Sequence, residues 1–124
     1  MEFVKLFLIM IFMHTIADFV LQNGFLAEAK QIFFWKLNAP DHMYRNDYII
    51  VLFMHSFMWA FLIMLPFLIK YDVSYAYIIA FIINIVIHMG TDNLKANENK
   101  LNLVQDQLIH IFQILLTIVY YYII

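Results

Sequence analysis

Two histidines and two aspartates of this chain stand four residues apart in mirrored order, His88 with Asp92 and then Asp106 with His110. On a helix, residues four apart project from one face, so each pair presents an imidazole and a carboxylate to one point. His14 and Asp18 repeat the spacing near the start of the chain, and His55 stands alone between the two regions. The candidate metal ligands are therefore His14, Asp18, His55, His88, Asp92, Asp106 and His110. The chain has no cysteine, so a bound ion would be held by nitrogen and oxygen, which suits zinc first and then iron or manganese. A divalent cation would also offset the mutual repulsion of neighbouring aspartates. With one coordination position open, it would make a bound water acidic enough to attack an ester, amide or phosphate. Asp18 and Asp92 are the candidates for the accompanying catalytic base.

These residues lie in or beside runs too apolar for a soluble domain. The chain of 124 residues is 65% hydrophobic and 13% charged, against ~45–50% apolar in ordinary soluble domains. Four runs, about 3–22, 48–69, 73–92 and 103–123, each reach the ~20 residues that cross a bilayer at ~1.5 Å per residue. The sequence therefore predicts an all-α membrane protein, a four-transmembrane-helix bundle forming one domain over 1–124. Asn23-Gly24 breaks the first run. The segment 25–38 mixes charges with apolar residues at helical spacing, and Trp35 and Lys36 suit the headgroup level. It reads as an amphipathic interfacial helix, a lid or substrate guide over the mouth of the bundle. Ala39-Pro40-Asp41 ends it, Asp47 is placed to cap the second span, and Pro66 is placed to kink it. Lys95 reads as a positive anchor, with an anion-binding group as the alternative, and His42 as a solvated loop residue. Gln22, Gln107 and Gln113 suit partners that orient imidazoles, or packing residues.

Short connections make successive spans antiparallel. The ligands then fall in the last part of spans one and three and the first part of spans two and four, on one side of the membrane. Lys30, Lys36, Arg45, Lys95 and Lys100 share that side, against Lys5 and Lys70 on the other. The positive-inside rule places the site on the cytoplasmic face of the cell (inner) membrane, with both termini outside. The first run lacks the small-residue cleavage pattern of a secretory signal. A net charge of −2, with no dense basic patch, argues against nucleic acid as a partner. The implied partners are the bilayer and a membrane-associated substrate, and the apolar outer faces leave room for a homo-oligomer.

The motifs His14-Thr-Ile-Ala-Asp-Phe-Val-Leu-Gln22, His88-Met-Gly-Thr-Asp-Asn-Leu-Lys95 and Asp106-Gln-Leu-Ile-His110, with the isolated His55, resemble the family of small bacterial and phage membrane proteins catalogued as domain of unknown function 3307 (DUF3307). The resemblance spans nearly the whole chain and implies no established activity. More distantly, the placing of His and Asp at helix ends is similar to that in bacterial membrane-bound metal-dependent hydrolases. This chain offers no Ser or Cys beside a histidine as nucleophile, since Ser56 points elsewhere than His55, which leaves metal-activated water. The sequence thus favours a metal-dependent hydrolase. A transport component using the His–Asp pairs as a proton or ion relay, and a non-catalytic interaction protein with a structural polar core, are the alternatives.

Overall fold

The computed structural model describes residues 2–124, which form six α-helices and no strand among the described residues. Helix α1 covers Phe3–Thr15 and continues as a single π turn, Ile16–Val20, in which the Leu21 N–H donates to the Ile16 carbonyl five residues back at 2.8 Å. Two short helices follow, α2 at Gly24–Ala29 and α3 at Ile32–Asn38, then a 3₁₀ turn at His42–Tyr44. The long helices α4 (Asp47–Lys70), α5 (Tyr75–Ala96) and α6 (Leu103–Ile123) complete the chain. Four helical stretches, Phe3–Val20, His42–Lys70, Tyr75–Ala96 and Leu103–Ile123, are long and apolar enough to cross a membrane.

Local chemistry accounts for the ends of these elements. The Asn23 side chain accepts from the Leu26 N–H and starts α2, and Ser74 does the same for α5 through the Tyr77 N–H. A capping box starts α6: the Asn102 side chain accepts from the Gln105 N–H, while the Gln105 side chain accepts from the Asn102 N–H. The stop of α5 uses Asn99 at φ 53°, a left-handed conformation that asparagine tolerates, with the Lys100 N–H closing back on the Leu94 carbonyl at 2.9 Å. Two expectations are corrected here. The cap residue of α4 is Asn46, and Asp47 is the first helical residue, where its charge still favours the helix N-terminus. The amphipathic segment is two helices that break at Lys30–Gln31 rather than one helix over 25–38. Helix α4 runs on through Pro66 to Lys70.

The four long helices form a ring in which α1 packs on α4 and α6, and α5 packs on the same two neighbours. Polarity is inverted relative to a soluble bundle. The outer faces carry Val4, Leu8, Phe12 and Phe19 on α1, Ile50 and Met54 on α4, and Ile82 and Val86 on α5, all exposed. The interior holds His14, His55, Asn84, His88, Asp92, Asp106, His110, Gln113 and Thr117, all buried. That distribution suits lipid contact outside and a polar centre inside, since apolar side chains gain nothing from being hidden from hydrocarbon. One half of the interior is a dry core of Leu6, Met10, Ile63, Met64, Phe67, Ile114 and Ile118. The charged half is capped by α2 and α3, which pack on α4.

Candidate metal centre

Each long helix supplies part of the charged half. Helix α1 with its π turn brings His14 and Asp18, α4 brings His55 and Trp59, α5 brings His88, Asp92 and Lys95, and α6 brings Asp106, Gln107 and His110. The π turn matters here because it widens the helix at Asp18, and such turns recur where a side chain must be re-aimed at a functional site. His55 lies eight residues inside α4 and His110 seven inside α6, roughly 10–12 Å along the axis from those helix ends at ~1.5 Å per residue.

Three imidazoles meet the carboxylates through the same atom. The Nε2 of His55 lies 3.4 Å from Asp18 Oδ1 and 3.4 Å from Asp92 Oδ2. That of His88 lies 3.6 Å from Asp92 Oδ1 and 3.9 Å from Asp18 Oδ1. That of His110 lies 3.4 Å from both Asp92 Oδ1 and Asp106 Oδ1. None of these contacts has hydrogen-bond geometry, and among the described residues both ring nitrogens of all three histidines lack a hydrogen-bond partner, as do Asp18 Oδ1 and Asp106 Oδ1. Buried polar atoms are almost always satisfied, so a cluster of this many orphans requires an explanation. Two donor atoms on a tetrahedral ion with bonds of ~2.1 Å lie about 3.4 Å apart. Four of the six spacings equal that edge, the other two being 3.6 and 3.9 Å, and each imidazole turns its Nε2 to the same region. Two overlapping ligand groups result, Asp18–His55–His88 and His88–Asp92–His110, the donor atoms within each lying within 4.8 Å of one another. His88 belongs to both groups, so through one Nε2 lone pair it would hold an ion that the two groups share.

His14 is placed beside this cluster rather than in it. The Trp59 Nε1–H donates to His14 Nδ1 at 2.7 Å, and His14 Nε2 lies 2.9 Å from Gln107 Oε1. An indole can only donate, so His14 Nδ1 accepts and the proton sits on Nε2, which donates to Gln107. Gln107 passes the ordering on, donating from Nε2 to Asp18 Oδ2 at 3.3 Å and Asp106 Oδ2 at 3.1 Å. Trp59 also stacks on His88 with ring centres 4.2 Å apart, and His88 stacks on His110 at 4.2 Å.

Two lysines complete the site. Lys30, 7% exposed at the break between α2 and α3, donates to Asp92 Oδ2 at 2.8 Å. Lys95 donates to Asp106 Oδ2 at 2.9 Å. The break is fixed from α5: Asn97 donates to the Lys30 carbonyl at 3.0 Å and accepts from the Ile32 N–H at 2.7 Å. One turn deeper, Gln113 donates to the Asn84 carbonyl and side-chain oxygen, each at 2.8 Å, and Asn84 bonds Thr117 at 3.0 Å.

The structure therefore gathers Asp18, His55, His88, Asp92, Asp106 and His110, and sets His14 one layer out. Gln107 orients an imidazole, Gln113 binds Asn84 instead, and Gln22 makes no hydrogen bond to the cluster. His42 is exposed in its turn. Lys30 and Trp59 are site residues that spacing did not single out. A lysine inside an amphipathic segment and a tryptophan inside an apolar span carry no periodic mark. For Trp59 one signal was available, its place one turn after His55.

Fold and site together define a four-span, all-helical protein of membrane type with a buried His/Asp cluster able to hold a metal ion. The chain belongs to the family described as protein of unknown function (DUF3307), whose sequence profile matches residues 6–124. Comparison with curated proteins and with solved structures gives no match.

Proposed function

We propose that this protein is a metal-dependent hydrolase of the cell (inner) membrane, acting on a membrane-associated substrate at a centre near the cytoplasmic face. The observation that carries the reading is the convergence of the His55, His88 and His110 Nε2 atoms on Asp18 and Asp92 with no hydrogen bond among them. His55, His88, His110 and Asp92 hold the ion, zinc by donor type, or iron or manganese. Asp18, whose Oδ1 faces the ligands from the π turn, is the catalytic base or a further ligand. Asp106, whose Oδ1 lies 3.4 Å from His110 Nε2 with no hydrogen bond, is a further ligand of the same ion. His14, saturated by Trp59 and Gln107, acts as a positioning residue for Asp18. Ser56 is spent on the Leu52 carbonyl at 2.7 Å, so water is the nucleophile available.

The relay alternative draws on the Asn84–Gln113–Thr117 layer, which extends polarity one turn inward. Beyond it the core is mainly Met64, Phe67 and Ile118, with Tyr77, Tyr120 and Tyr121 as its polar groups and no carboxylate or imidazole among its described residues, which favours the hydrolytic reading. Elemental analysis of the detergent-purified protein tests the metal centre. Near-stoichiometric metal is expected in the wild type and background metal in His88→Ala/His110→Ala. Metal-free protein in both, with helicity intact, would sink the proposal and favour a structural polar core.

A further inference from the structure

The ion pairs at the rim of the centre point to what its substrate carries. Lys30 is buried, yet its ammonium has one acceptor, Asp92 Oδ2, for three N–H groups among the described residues. Lys95 likewise has one, Asp106 Oδ2. Leaving donors of a buried ammonium unmet is costly, so Lys30 calls for further acceptors, while the Lys95 side chain, 34% exposed, stands at the rim with its remaining donors reachable from outside. The two lysines are not scattered. Each bonds Oδ2 of a carboxylate whose Oδ1 lies 3.4 Å from the same atom, His110 Nε2, and Asp92 Oδ2 also faces His55 Nε2 at 3.4 Å.

Charge points the same way. With neutral imidazoles, Asp18, Asp92 and Asp106 against Lys30 and Lys95 leave the cluster one negative charge in excess. A divalent ion turns that into one positive charge in a low-dielectric interior, which an anion would neutralise. Other anions fit less well. A carboxylate or phosphodiester offers two terminal oxygens, whereas the ion, Lys30 and Lys95 offer three cationic points.

We propose that the centre takes a phosphate monoester, its three terminal oxygens engaged by the bound ion, Lys30 and Lys95. The inference rests on the metal-dependent reading above and names its substrate class. In the hydrolysis that follows, a water oxygen forms a bond to phosphorus and the ester P–O bond breaks. One water proton passes through Asp18 to the departing oxygen, giving an alcohol and inorganic phosphate. No oxidant or second substrate is needed.

The test is calorimetric titration of zinc-loaded, detergent-solubilised protein with inorganic phosphate, with short-chain phosphatidic acid, and with short-chain phosphatidylcholine as the diester control. Metal content is measured on every sample. The wild type should bind phosphatidic acid or inorganic phosphate and ignore the diester. Lys30→Met and Lys95→Met should each weaken that binding at least about tenfold while keeping their metal, as expected for losing one charge-assisted contact. Lys30→Arg should restore part of it. Phosphatidic acid bound far more tightly than inorganic phosphate would assign a lipid source to the monoester, and equal binding would assign a headgroup-only site; either supports the proposal. Zinc-loaded wild type that binds neither ligand, or binding unchanged in both lysine variants, would overturn it and leave the metal centre standing. Failure to take up any metal would overturn both. Should Lys30→Met not fold, Lys95→Met carries the test alone, because its side chain is 34% exposed.

Discussion

Lys30→Met separates a buried charge pair from a surface one within the same chain. The Lys30 and Asp92 side chains are 9% and 4% exposed and lie 2.8 Å apart. Removing one partner of such a pair strands the other, at a cost of ~3–5 kcal/mol. The low end of that range applies, since the imidazoles of His55, His88 and His110 stay 3.4–3.6 Å from Asp92 and can turn a proton toward it. Lys100–Glu98 is the internal control, with side chains 66% and 40% exposed. Losing Lys100 should cost ~0–1 kcal/mol, as for exposed pairs generally. The metal centre adds a second, sharper expectation. When zinc is bound, the ion takes over the compensation of Asp92, so the deficit of Lys30→Met shrinks. At free zinc a hundredfold above Kd the wild type gains about 2.7 kcal/mol. The variant gains more, because its stranded carboxylate holds the ion more tightly. Unfolding by SDS in mixed micelles, followed by far-UV circular dichroism with chelator or with zinc, reads both quantities. A chelated-state deficit no larger than that of Lys100→Met, or a deficit that zinc leaves unchanged, would refute the reasoning.

Two further outcomes follow from the division between ligands and their supports. His14→Ala should keep bound metal, with affinity lowered by ~10–100-fold as for a residue behind the ligands, whereas His55→Ala should reduce it to background; elemental analysis of the purified variants distinguishes them. Trp59→Phe keeps a ring against His88 but removes the donor to His14 Nδ1. Stranding that nitrogen should cost ~1–3 kcal/mol in the same SDS titration without changing metal content.

The bundle and most of the cluster were legible in the sequence because they rest on two strong signals. Long apolar runs specify spans, and polar residues four apart inside them specify one inward face, as with His88 and Asp92 or Asp106 and His110. What stayed hidden depends on tertiary placement. The hydrogen-bonding state of His14 follows from an indole 45 residues away. The π turn at Ile16–Val20 replaces an ordinary turn without any Gly or Pro to announce it. Lys30 looked like one charge of an amphipathic helix. It became a site residue because that helix breaks beside it and Asn97 holds the break open. The asparagine at position 97 lay in a polar linker, where nothing local marks it as a clamp.

The distribution of the centre along the chain also dictates when it can exist. Asp18 leaves the ribosome early with only His14 beside it, at 3.6 Å; His55 and His88 reach it from the next two long helices, and Gln107 only once the last helix has emerged. The first span must therefore enter the bilayer with its charged turn near the surface, where water can attend it, and sink into register only as α6 arrives. The centre is complete only once α6 has packed on α1 and α5. A nascent chain halted before Leu103 would hold three apolar helices and an open, water-seeking seam, and that seam is the feature a membrane quality-control protease would meet first.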